Sequence, residues 1–344
     1  MNDTFLRVCK GQEVSYTPVW LMRQAGRYMP EYQAVRADVD FLTLCKSPEL
    51  ATKVTLQPVD ILGVDAAILF SDILVLPEAM GMRLEFHEKK GPQLSEPIRS
   101  RSLTERLRVP YPEDDLGFVL ETIRLLREKL DVPLIGFSGA PFTLATYMIE
   151  GEGSRNFINT KKMMFSAEGL FQYLMEKITD SVIQYLSAQI RAGAQAVQLF
   201  DTWAGILSPD DYRSFALPYV KRAASELKKE GVPVIYFVYG SAGILKDIKR
   251  AGADVIGIDW KVDMADAVKA LGKKVSVQGN LDPLLLFLPE DKLRERVKNI
   301  LIKASPAKGH IFNLGHGILP ETPVSAVKAL VRLVHELSRE LKGR

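Results

Sequence analysis

Short apolar runs alternate along the chain with longer stretches in which apolar residues recur every three or four positions. The first pattern is typical of buried strands and the second of amphipathic helices. Three segments repeat one arrangement: a helix end, a turn containing glycine, a short apolar strand and an acidic residue just past it. They are LGVDAAILFSD from Leu62, RAGAQAVQLFDTW from Arg191 and RAGADVIGIDW from Arg250. All such runs together predict eight strands, near residues 19, 67, 135, 198, 235, 257, 276 and 312.

Helix signals lie between the predicted strands. The clearest helix begins at Ser47-Pro48-Glu49, with serine as the N-cap and proline in the first turn, and ends near Leu62 before Gly63. A long helix is predicted over 167–192 and a last amphipathic helix over 322–341.

Three ranges lack a regular pattern. Residues 29–46 are polar with scattered aromatics, and we interpret them as a loop lying over a site. Prolines and glycines interrupt residues 73–113, which indicates an insertion with a hairpin arm at 82–86. Residues 151–156, GEGSRN, predict a polar loop, which we hypothesise to be a mobile lid.

Eight strand–helix alternations without a linker predict an α/β fold, a single (β/α)8 TIM barrel with the insertion after its second strand. Because no stretch has low complexity, we expect residues 1–344 to form one domain. A doubly wound open sheet is the alternative, but no Gly-x-Gly-x-x-Gly follows the first strand.

Composition narrows the class of protein. Apolar residues make up 47% of the chain and charged residues 25%, and the net charge is +3, which is too small to favour nucleic acid or an anionic membrane as a partner. Two cysteines, Cys9 and Cys45, allow no disulfide framework. The N-terminal segment has no signal-peptide pattern, and no apolar run is long enough to span a bilayer. We therefore expect a cytoplasmic protein. Because the net charge is small, an anion would have to be bound by a local cluster of basic residues.

Two arginines provide a candidate anion site. A predicted buried strand, Pro18–Met22, leads directly into Arg23, and Arg27 follows across Gln24-Ala25-Gly26. Guanidinium groups match carboxylate or phosphate in a bidentate way, which favours an anion clamp. Structural ion pairs at the barrel rim are the alternative, and the two arginines alone do not decide between them.

In a barrel of this kind, chemistry is carried by residues at the carboxyl ends of the strands. The polar residues at those positions are Arg23, Arg27, Ser71, Asp72, Ser138, Asp201, Thr202, Tyr239, Asp259, Gln278, Asn280 and His316.

The acidic residues of this set are followed by different kinds of sequence. Asp201 and Asp259 precede predicted helices, so helix capping is the favoured interpretation of both. Asp72 lies between VDAAILF and ILVL, an apolar sequence that predicts no capped helix. Because a bare buried carboxylate is costly, Asp72 requires a partner or a ligand, and we favour a functional role. Two further residues have both a structural and a functional interpretation, and the sequence does not decide between them. They are His316, between two glycines, and Tyr147, on the helix after Ala140-Pro141-Phe142.

Several kinds of site are excluded by their missing motifs. The sequence has no His/Cys cluster with metal-ligand spacing, no phosphate-binding Gly-rich loop and no Gly-x-Ser-x-Gly elbow. No lysine was identified at a predicted strand end, which leaves a Schiff-base mechanism without a candidate. The remaining site consists of arginines, a carboxylate, hydroxyls and an imidazole, and we predict no metal and no organic cofactor.

Five blocks of the sequence together resemble the uroporphyrinogen decarboxylase family of haem biosynthesis. They are PVWLMRQAGRYMPEYQAVR, LQPVDILGVDAAILFSDILVLPEAMGM, GFSGAPFTLATYMIEG, FDTWAGILSP and FNLGHGILPETP, and they cover essentially the whole chain. The resemblance implies a (β/α)8 barrel, usually a homodimer, that removes the four acetate carboxyl groups of uroporphyrinogen III without a cofactor and gives coproporphyrinogen III.

The resemblance also implies roles for individual residues. Arg23 and Arg27 would bind substrate carboxylates and take part in catalysis. Gln24, Ala25 and Gly26 between them would also contact the substrate, and Arg36 matches a further family arginine. Asp72 would meet the pyrrole NH groups and stabilise the developing cation. The remaining polar contacts of the family match Tyr147, Thr202 (serine in some members) and His316.

Two other functions remain open at this point. A barrel methyltransferase of similar fold would need a zinc site, for which Cys9 and Cys45 have no strand-end histidine beside them. A non-catalytic tetrapyrrole-binding protein would bind the same substrate without releasing carbon dioxide.

Overall fold

A computed structural model of the chain describes residues 1–87 and 91–343. Within these residues, seven parallel strands form one curled sheet with the order β1-β4-β5-β6-β7-β8-β9, and β2 and β3 form a separate antiparallel hairpin. The strands are β1 (Ala67–Ile68), β2 (Leu84–His87), β3 (Gly91–Leu94), β4 (Leu134–Gly139), β5 (Ala196–Asp201), β6 (Val234–Val238), β7 (Val255–Ile258), β8 (Ser276–Gln278) and β9 (His310–Ile311).

Helices connect the strands and cover the outer face of the sheet. The α-helices are Thr4–Cys9, Pro30–Arg36, Phe41–Lys46, Pro48–Leu62, Val75–Ala79, Arg101–Arg106, Pro112–Asp115, Gly117–Lys129, Pro141–Glu150, Ile158–Ser166, Glu168–Ala192, Pro209–Phe215, Leu217–Lys228, Leu245–Ile248, Met264–Leu271, Glu290–Ala304 and Val324–Lys342. Short 3-10 helices span Ala204–Ile206, Ser241–Ile244, Lys249–Ala251 and Pro283–Phe287. In the described part of the chain, no helix combines the length and the apolarity needed to cross a membrane.

The first predicted strand differs from the others. Val19 makes a single parallel bridge to Phe312, beyond β9, and its carbonyl accepts a hydrogen bond of 2.8 Å from the N–H of Asp65, just before β1. Val19 and Trp20 are fully buried, as predicted, but the segment makes too few ladder bonds to extend as a strand. It therefore contacts both edges of the seven-stranded sheet.

Both faces of the sheet are buried, which explains why its strands are continuous apolar runs. On β6, Ile235 and Phe237 pack inward with Trp20, whereas Val234 and Tyr236 pack against the outer helices. The arrangement directs the carboxyl ends of the seven strands to one end of the sheet, as expected for parallel strands.

The ranges predicted as irregular contain more structure than expected. The hairpin arm at 82–86 is confirmed by the pairing of β2 with β3. The loop predicted over 29–46 is wrong, because Pro30–Arg36 and Phe41–Lys46 are helices. Proline opens the first of these, and the side chain of Asp40 caps the second by accepting a hydrogen bond from the N–H of Thr43.

Helix limits follow the predicted capping signals where those signals are strong. Ser47 accepts a hydrogen bond from the N–H of Leu50, and Gly63 ends the helix Pro48–Leu62 with φ +69°. The stretch 209–228 forms two helices, Pro209–Phe215 and Leu217–Lys228, because Pro218 opens a new helix after Ala216. The helix Ile158–Ser166 was not predicted.

Candidate active site

The arginine-bearing turn is attached to the sheet by Gln24. This buried side chain accepts a hydrogen bond of 3.0 Å from the N–H of Leu21 and donates one of 3.1 Å to the carbonyl of Ala66, beside β1. The hydroxyl of Tyr28 donates a hydrogen bond of 2.7 Å to the carbonyl of Gln24. Because both polar ends of the Gln24 side chain are used inside the protein, this residue holds the turn in place and has only its backbone left for a ligand.

The turn presents two arginines to solvent. Arg23 adopts φ +61°, a conformation that is unfavourable for a residue with a side chain and is often found at functional sites. Its side chain passes over Gly317, where a Cβ atom would lie 2.4 Å from Cδ of Arg23. Arg27 is also exposed, and Ala25 and Gly26 between them are partly accessible.

Asp72 lies next to this turn, just past β1. Its Oδ1 atom accepts a hydrogen bond of 2.8 Å from the N–H of Leu74. Burial raises the pKa of Asp72, while the Leu74 hydrogen bond and the charge of Arg23 oppose the increase. The sequence predicted no capped helix after Asp72. A short helix, Val75–Ala79, does follow, but its N-cap is Leu74, no side chain caps it, and Asp72 lies before it.

Electrostatic coupling brings two more predicted residues into the same cluster. Burial raises the pKa of Tyr147, a hydrogen bond with Trp203 opposes this, and the charges of Asp72 and Arg23 also act on it. Burial and the charge of Arg23 lower the pKa of His316 to about 4. Arg23, Asp72, Tyr147 and His316, widely spaced in the sequence, therefore meet at one site.

Two predicted residues lie at the margin of this cluster. The guanidinium of Arg36 donates a hydrogen bond to the carbonyl of Val39, and its charge acts on Tyr32 and Cys45. The charge of Asp72 also acts on Cys45, so this buried thiol is within electrostatic range of both Asp72 and Arg36. Thr202, past the end of β5, is partly accessible.

Asp201 does not cap a helix, which corrects the sequence interpretation. Its fully buried carboxylate accepts hydrogen bonds of 2.6 Å from the hydroxyl of Thr143 and 2.7 Å from the hydroxyl of Tyr236. The Thr143 oxygen in turn accepts a hydrogen bond of 3.1 Å from the N–H of Trp203. These contacts fasten the backbone on both sides of Thr202 to the helix that carries Tyr147.

The burial of Asp201 predicts a pH-dependent stability. Burial raises its pKa from 3.8 to about 6, so the folded protein binds a proton more tightly there than the unfolded chain does. Stability from this group is therefore full below the unfolded pKa and falls as the pH rises toward the folded pKa. Between about pH 4.5 and pH 7, the free energy of unfolding of the wild type should fall by about 2 kcal/mol relative to that of Asp201→Asn. Urea unfolding of both proteins measures this difference, and a constant difference across the range would contradict it.

Asp259 does not cap a helix either. Its Oδ2 atom accepts hydrogen bonds of 2.9 Å from both the N–H and the hydroxyl of Ser241, and its Oδ1 atom accepts one of 2.9 Å from the N–H of Lys261. The cap of the next helix is Asp263, which accepts a hydrogen bond from the N–H of Ala265. Asp259 thus fixes the backbone just past β7.

Lys261 was missed in the sequence. No lysine ends one of the described strands, in agreement with the prediction, but Lys261 lies only three residues past the end of β7, directly after Asp259-Trp260. Its Nζ atom lies 4.3 Å from the ring centroid of Tyr239, and its charge lowers the pKa of His316. Its position in the RAGADVIGIDWK repeat was the signal that could have identified it.

The other strand-end residues predicted from the sequence are inside the protein. Gln278 accepts a hydrogen bond of 2.9 Å from the indole N–H of Trp20, and Asn280 donates to the carbonyls of Asp259 and Val262. The hydroxyl of Ser138 donates to the carbonyl of Gly139. Over residues 1–87 and 91–343, no three His, Cys, Asp or Glu side chains are grouped so that they could hold a metal ion.

The comparison with known families agrees with this arrangement. The model of the family described as uroporphyrinogen decarboxylase (URO-D) matches residues 1–337. This chain belongs to the uroporphyrinogen decarboxylase family. The resemblance seen in the sequence is thereby confirmed.

Curated uroporphyrinogen decarboxylases match over nearly their full length. The protein from Desulfotalea psychrophila is 55% identical over 338 residues, which cover 98% of this chain and 99% of the relative. The protein from Geobacter metallireducens is 53% identical over 342 residues, which cover 99% and 100%.

Solved structures show a shared fold. A methyltransferase from Methanosarcina mazei superposes with a TM-score of 0.82 at 24% identity, covering 100% of this chain and 99% of the other. A B12-independent methionine synthase from Shewanella has a TM-score of 0.60 at 14% identity, covering 96% and 97%. At these sequence identities, the two solved structures share a fold with this chain, and the similarity indicates nothing about its function.

Proposed function

We propose that this chain removes the carboxyl groups of the four acetate side chains of uroporphyrinogen III as carbon dioxide and gives coproporphyrinogen III. That it is a decarboxylase of uroporphyrinogen in tetrapyrrole biosynthesis follows from its family. The observation that best supports the finer proposal is the convergence of Arg23, Asp72, Tyr147 and His316 at the carboxyl end of the sheet. This set combines an exposed cation for substrate carboxylates with one partly accessible carboxylate for a cationic intermediate.

The arginines bind and orient the substrate. Uroporphyrinogen carries eight carboxylates, four acetates and four propionates, and a hydrogen bond to a charged group contributes about 1.5–3 kcal/mol. Arg23 and Arg27 are both exposed on a turn that Gln24 holds against β1. Arg36, with its charge near Tyr32, extends the same basic surface. A few such contacts suffice to fix the position of the macrocycle.

Asp72 stabilises the transition state electrostatically. We propose that no metal or organic cofactor accepts the electrons and that the pyrrole ring itself does. Protonation of a ring carbon makes the ring cationic; the bond to the carboxyl carbon then breaks, carbon dioxide leaves, and the bonding pair neutralises the ring. A second proton converts the exocyclic carbon to a methyl group, and loss of the ring proton restores the pyrrole. One proton is consumed for each acetate, and the fixed charge of Asp72 lies beside the transient cation.

The other two members of the cluster act as neutral hydrogen-bonding groups. Because the pKa of His316 is lowered to about 4, its imidazole is uncharged near neutral pH. The pKa of Tyr147 is raised by burial, so its phenol keeps its proton. Both can therefore contact the substrate without adding charge near the intermediate. Thr202 supplies a further hydroxyl at the end of β5.

Thr143 provides a test of how Thr202 and Tyr147 are held. Thr143→Val keeps the side-chain shape but removes the hydrogen bonds to Asp201 and Trp203, and we expect kcat/KM to fall about tenfold. Tyr212→Phe is the matched control, because the Tyr212 side chain is equally buried and its hydroxyl lies 3.1 Å from that of Tyr236, without a hydrogen bond to Asp201 or Trp203 among the described residues. Its kcat/KM should stay within about twofold. Equal losses of activity in the two variants at similar Tm would contradict this role for Thr143.

Three broader features also remain proposals. We propose that the contacts of Val19 with Phe312 and Asp65 close the sheet into a (β/α)8 barrel, with the segment carrying β2 and β3 as an insertion. We also propose that residues 1–344 form one domain, that the protein is a homodimer, and that it acts in the cytoplasm. Residues 151–156 remain a hypothetical lid.

The deciding experiment is anaerobic incubation of the protein with uroporphyrinogen, followed by chromatography that counts the carboxyl groups of the products. We expect intermediates with seven, six and five carboxylates and then coproporphyrinogen. Bound substrate without any loss of carboxylate would instead favour a non-catalytic tetrapyrrole-binding protein. Stoichiometric zinc in the purified protein would favour the methyltransferase alternative.

A further inference from the structure

We propose that Lys261 and Arg23, on the two sides of His316, form a subsite that binds one carboxylate of the substrate. The inference rests on the proposed function, since it takes uroporphyrinogen as the ligand. It adds Lys261 to the binding residues and supplies a cation on the β7 side of the site.

The backbone at Lys261 is rigidly held. The buried carboxylate of Asp259 accepts the Lys261 N–H at 2.9 Å and is anchored in turn by the N–H and hydroxyl of Ser241. These three donors occupy both oxygens of Asp259. Asp263, equally near to Lys261 in sequence, accepts the N–H of Ala265 and pairs with Lys303. Both carboxylates within two residues of Lys261 are therefore already engaged within the protein.

The Lys261 side chain lies over aromatic rings that face His316. Its Nζ atom is 4.3 Å from the ring centroid of Tyr239 and 5.7 Å from that of Trp260. The same two rings lie 5.2 Å and 6.4 Å from the imidazole of His316. Cation–π contact keeps the ammonium near the rings and restricts its motion in solvent.

The loop Leu314-Gly-His-Gly packs between the two cations. A Cβ atom at Gly315 would lie 2.3 Å from the backbone nitrogen of Trp260, and one at Gly317 would lie 2.4 Å from Cδ of Arg23. Both approaches are possible only because these residues are glycines. The imidazole between them is thus next to Trp260-Lys261 on one side and Arg23 on the other.

The charges around His316 favour an anion. The charges of Arg23 and Lys261 both lower the pKa of His316, and that of Asp259 opposes them. Within residues 1–87 and 91–343, neither cation has a carboxylate at ion-pair distance. The two cations outnumber the single carboxylate of Asp259 beside the neutral imidazole, which leaves a net positive charge that a substrate carboxylate would neutralise.

The position of Lys261 complements that of the arginines. Arg23 and Arg27 follow the Val19 segment, beyond β9 in the sheet, whereas Lys261 follows β7. The carboxylates of uroporphyrinogen are distributed around the whole macrocycle, so cations on one side of the site contact only part of them. Lys261 provides a contact from another direction.

The test compares Lys261→Met with Lys261→Arg and with the control Lys269→Met. Lys269 is exposed on the helix Met264–Leu271, so its replacement makes the same change in net charge away from the site. We expect KM for uroporphyrinogen to rise about tenfold in Lys261→Met with kcat within about twofold, and to stay near the wild-type value in the other two. In Lys261→Met, the pKa of His316, followed by NMR, should also rise.

Direct binding of coproporphyrinogen, measured anaerobically by tryptophan fluorescence, identifies the carboxylate. Equal weakening of coproporphyrinogen and uroporphyrinogen binding in Lys261→Met indicates a propionate, and weakening of uroporphyrinogen binding alone indicates an acetate. Unchanged affinity for both overturns the proposal, whether or not the wild type is active. Lack of product from a wild type that binds with this dependence on Lys261 overturns the proposed function instead.

Discussion

Asp72→Asn is expected to retain the fold and to lower kcat by a factor on the order of 10³. The amide oxygen of asparagine can accept the same hydrogen bond from the N–H of Leu74 that Asp72 accepts at 2.8 Å. The negative charge beside the cationic ring is lost, however. A pair of unit charges about 4 Å apart contributes about 4 kcal/mol at an effective dielectric constant near 20. Since about 1.4 kcal/mol corresponds to a tenfold change in rate, this loss accounts for the predicted factor.

Asp282→Asn is the matched control for this variant. Asp282 makes the same local contact, because its Oδ1 atom accepts a hydrogen bond of 3.0 Å from the N–H of Leu284, two residues on. Single-turnover kinetics and thermal unfolding of both variants distinguish the effect of the lost charge from that of a disturbed turn. A disturbed turn would lower Tm, whereas the lost charge would lower only the rate of Asp72→Asn. Near-normal turnover by a folded Asp72→Asn protein would refute the electrostatic role of Asp72.

Arg23→Met is expected to lower kcat/KM about 100-fold. Methionine keeps an apolar stem over Gly317, so the packing of that loop is conserved, but the hydrogen bonds to the substrate carboxylate are lost. The charge of Arg23 also opposes the burial that raises the pKa of Asp72. Without it, that pKa should rise further. The proposed mechanism requires Asp72 as the carboxylate, so the acidic limb of the kcat profile should move to higher pH.

Arg296→Met removes the same charge from an exposed position on the outer helix Glu290–Ala304. Steady-state kinetics over a pH series should show no change in this control. A fall in kcat/KM of Arg23→Met without any shift of the acidic limb would mean that Arg23 binds substrate without influencing Asp72.

The sequence predicted helix ends correctly where capping residues next to the helix determine them. Ser47, Pro48 and Gly63 specify the ends of one helix through their own backbone preferences, and the structure has that helix at the predicted residues. Over residues 29–46 the sequence pattern was too weak to indicate helices. There, Pro30 and Asp40 provide the helix starts, which were not recognised.

Contacts between distant residues could not be predicted in the same way. Asp201 and Asp259 precede helices, which favoured capping, but their partners Thr143, Tyr236 and Ser241 come from other strands and helices. Their roles depend on the tertiary arrangement of strand ends. The family motifs predicted Arg23, Asp72, Tyr147 and His316 as site residues, and the structure adds the electrostatic influence of Arg23 on the other three.

The segment around Val19 has a consequence for how the protein folds. Its partner Phe312 lies nearly the whole length of the chain away, whereas each of the seven strands pairs with strands much closer in sequence. Contacts between residues so far apart have a high entropic cost of loop closure, so we expect them to form late in folding. Arg23 and Arg27 follow this segment directly, so the turn that carries both arginines should reach its final position only in the last stage of folding. A partly folded chain with most of its sheet in place should therefore bind the porphyrinogen more weakly than the native protein does.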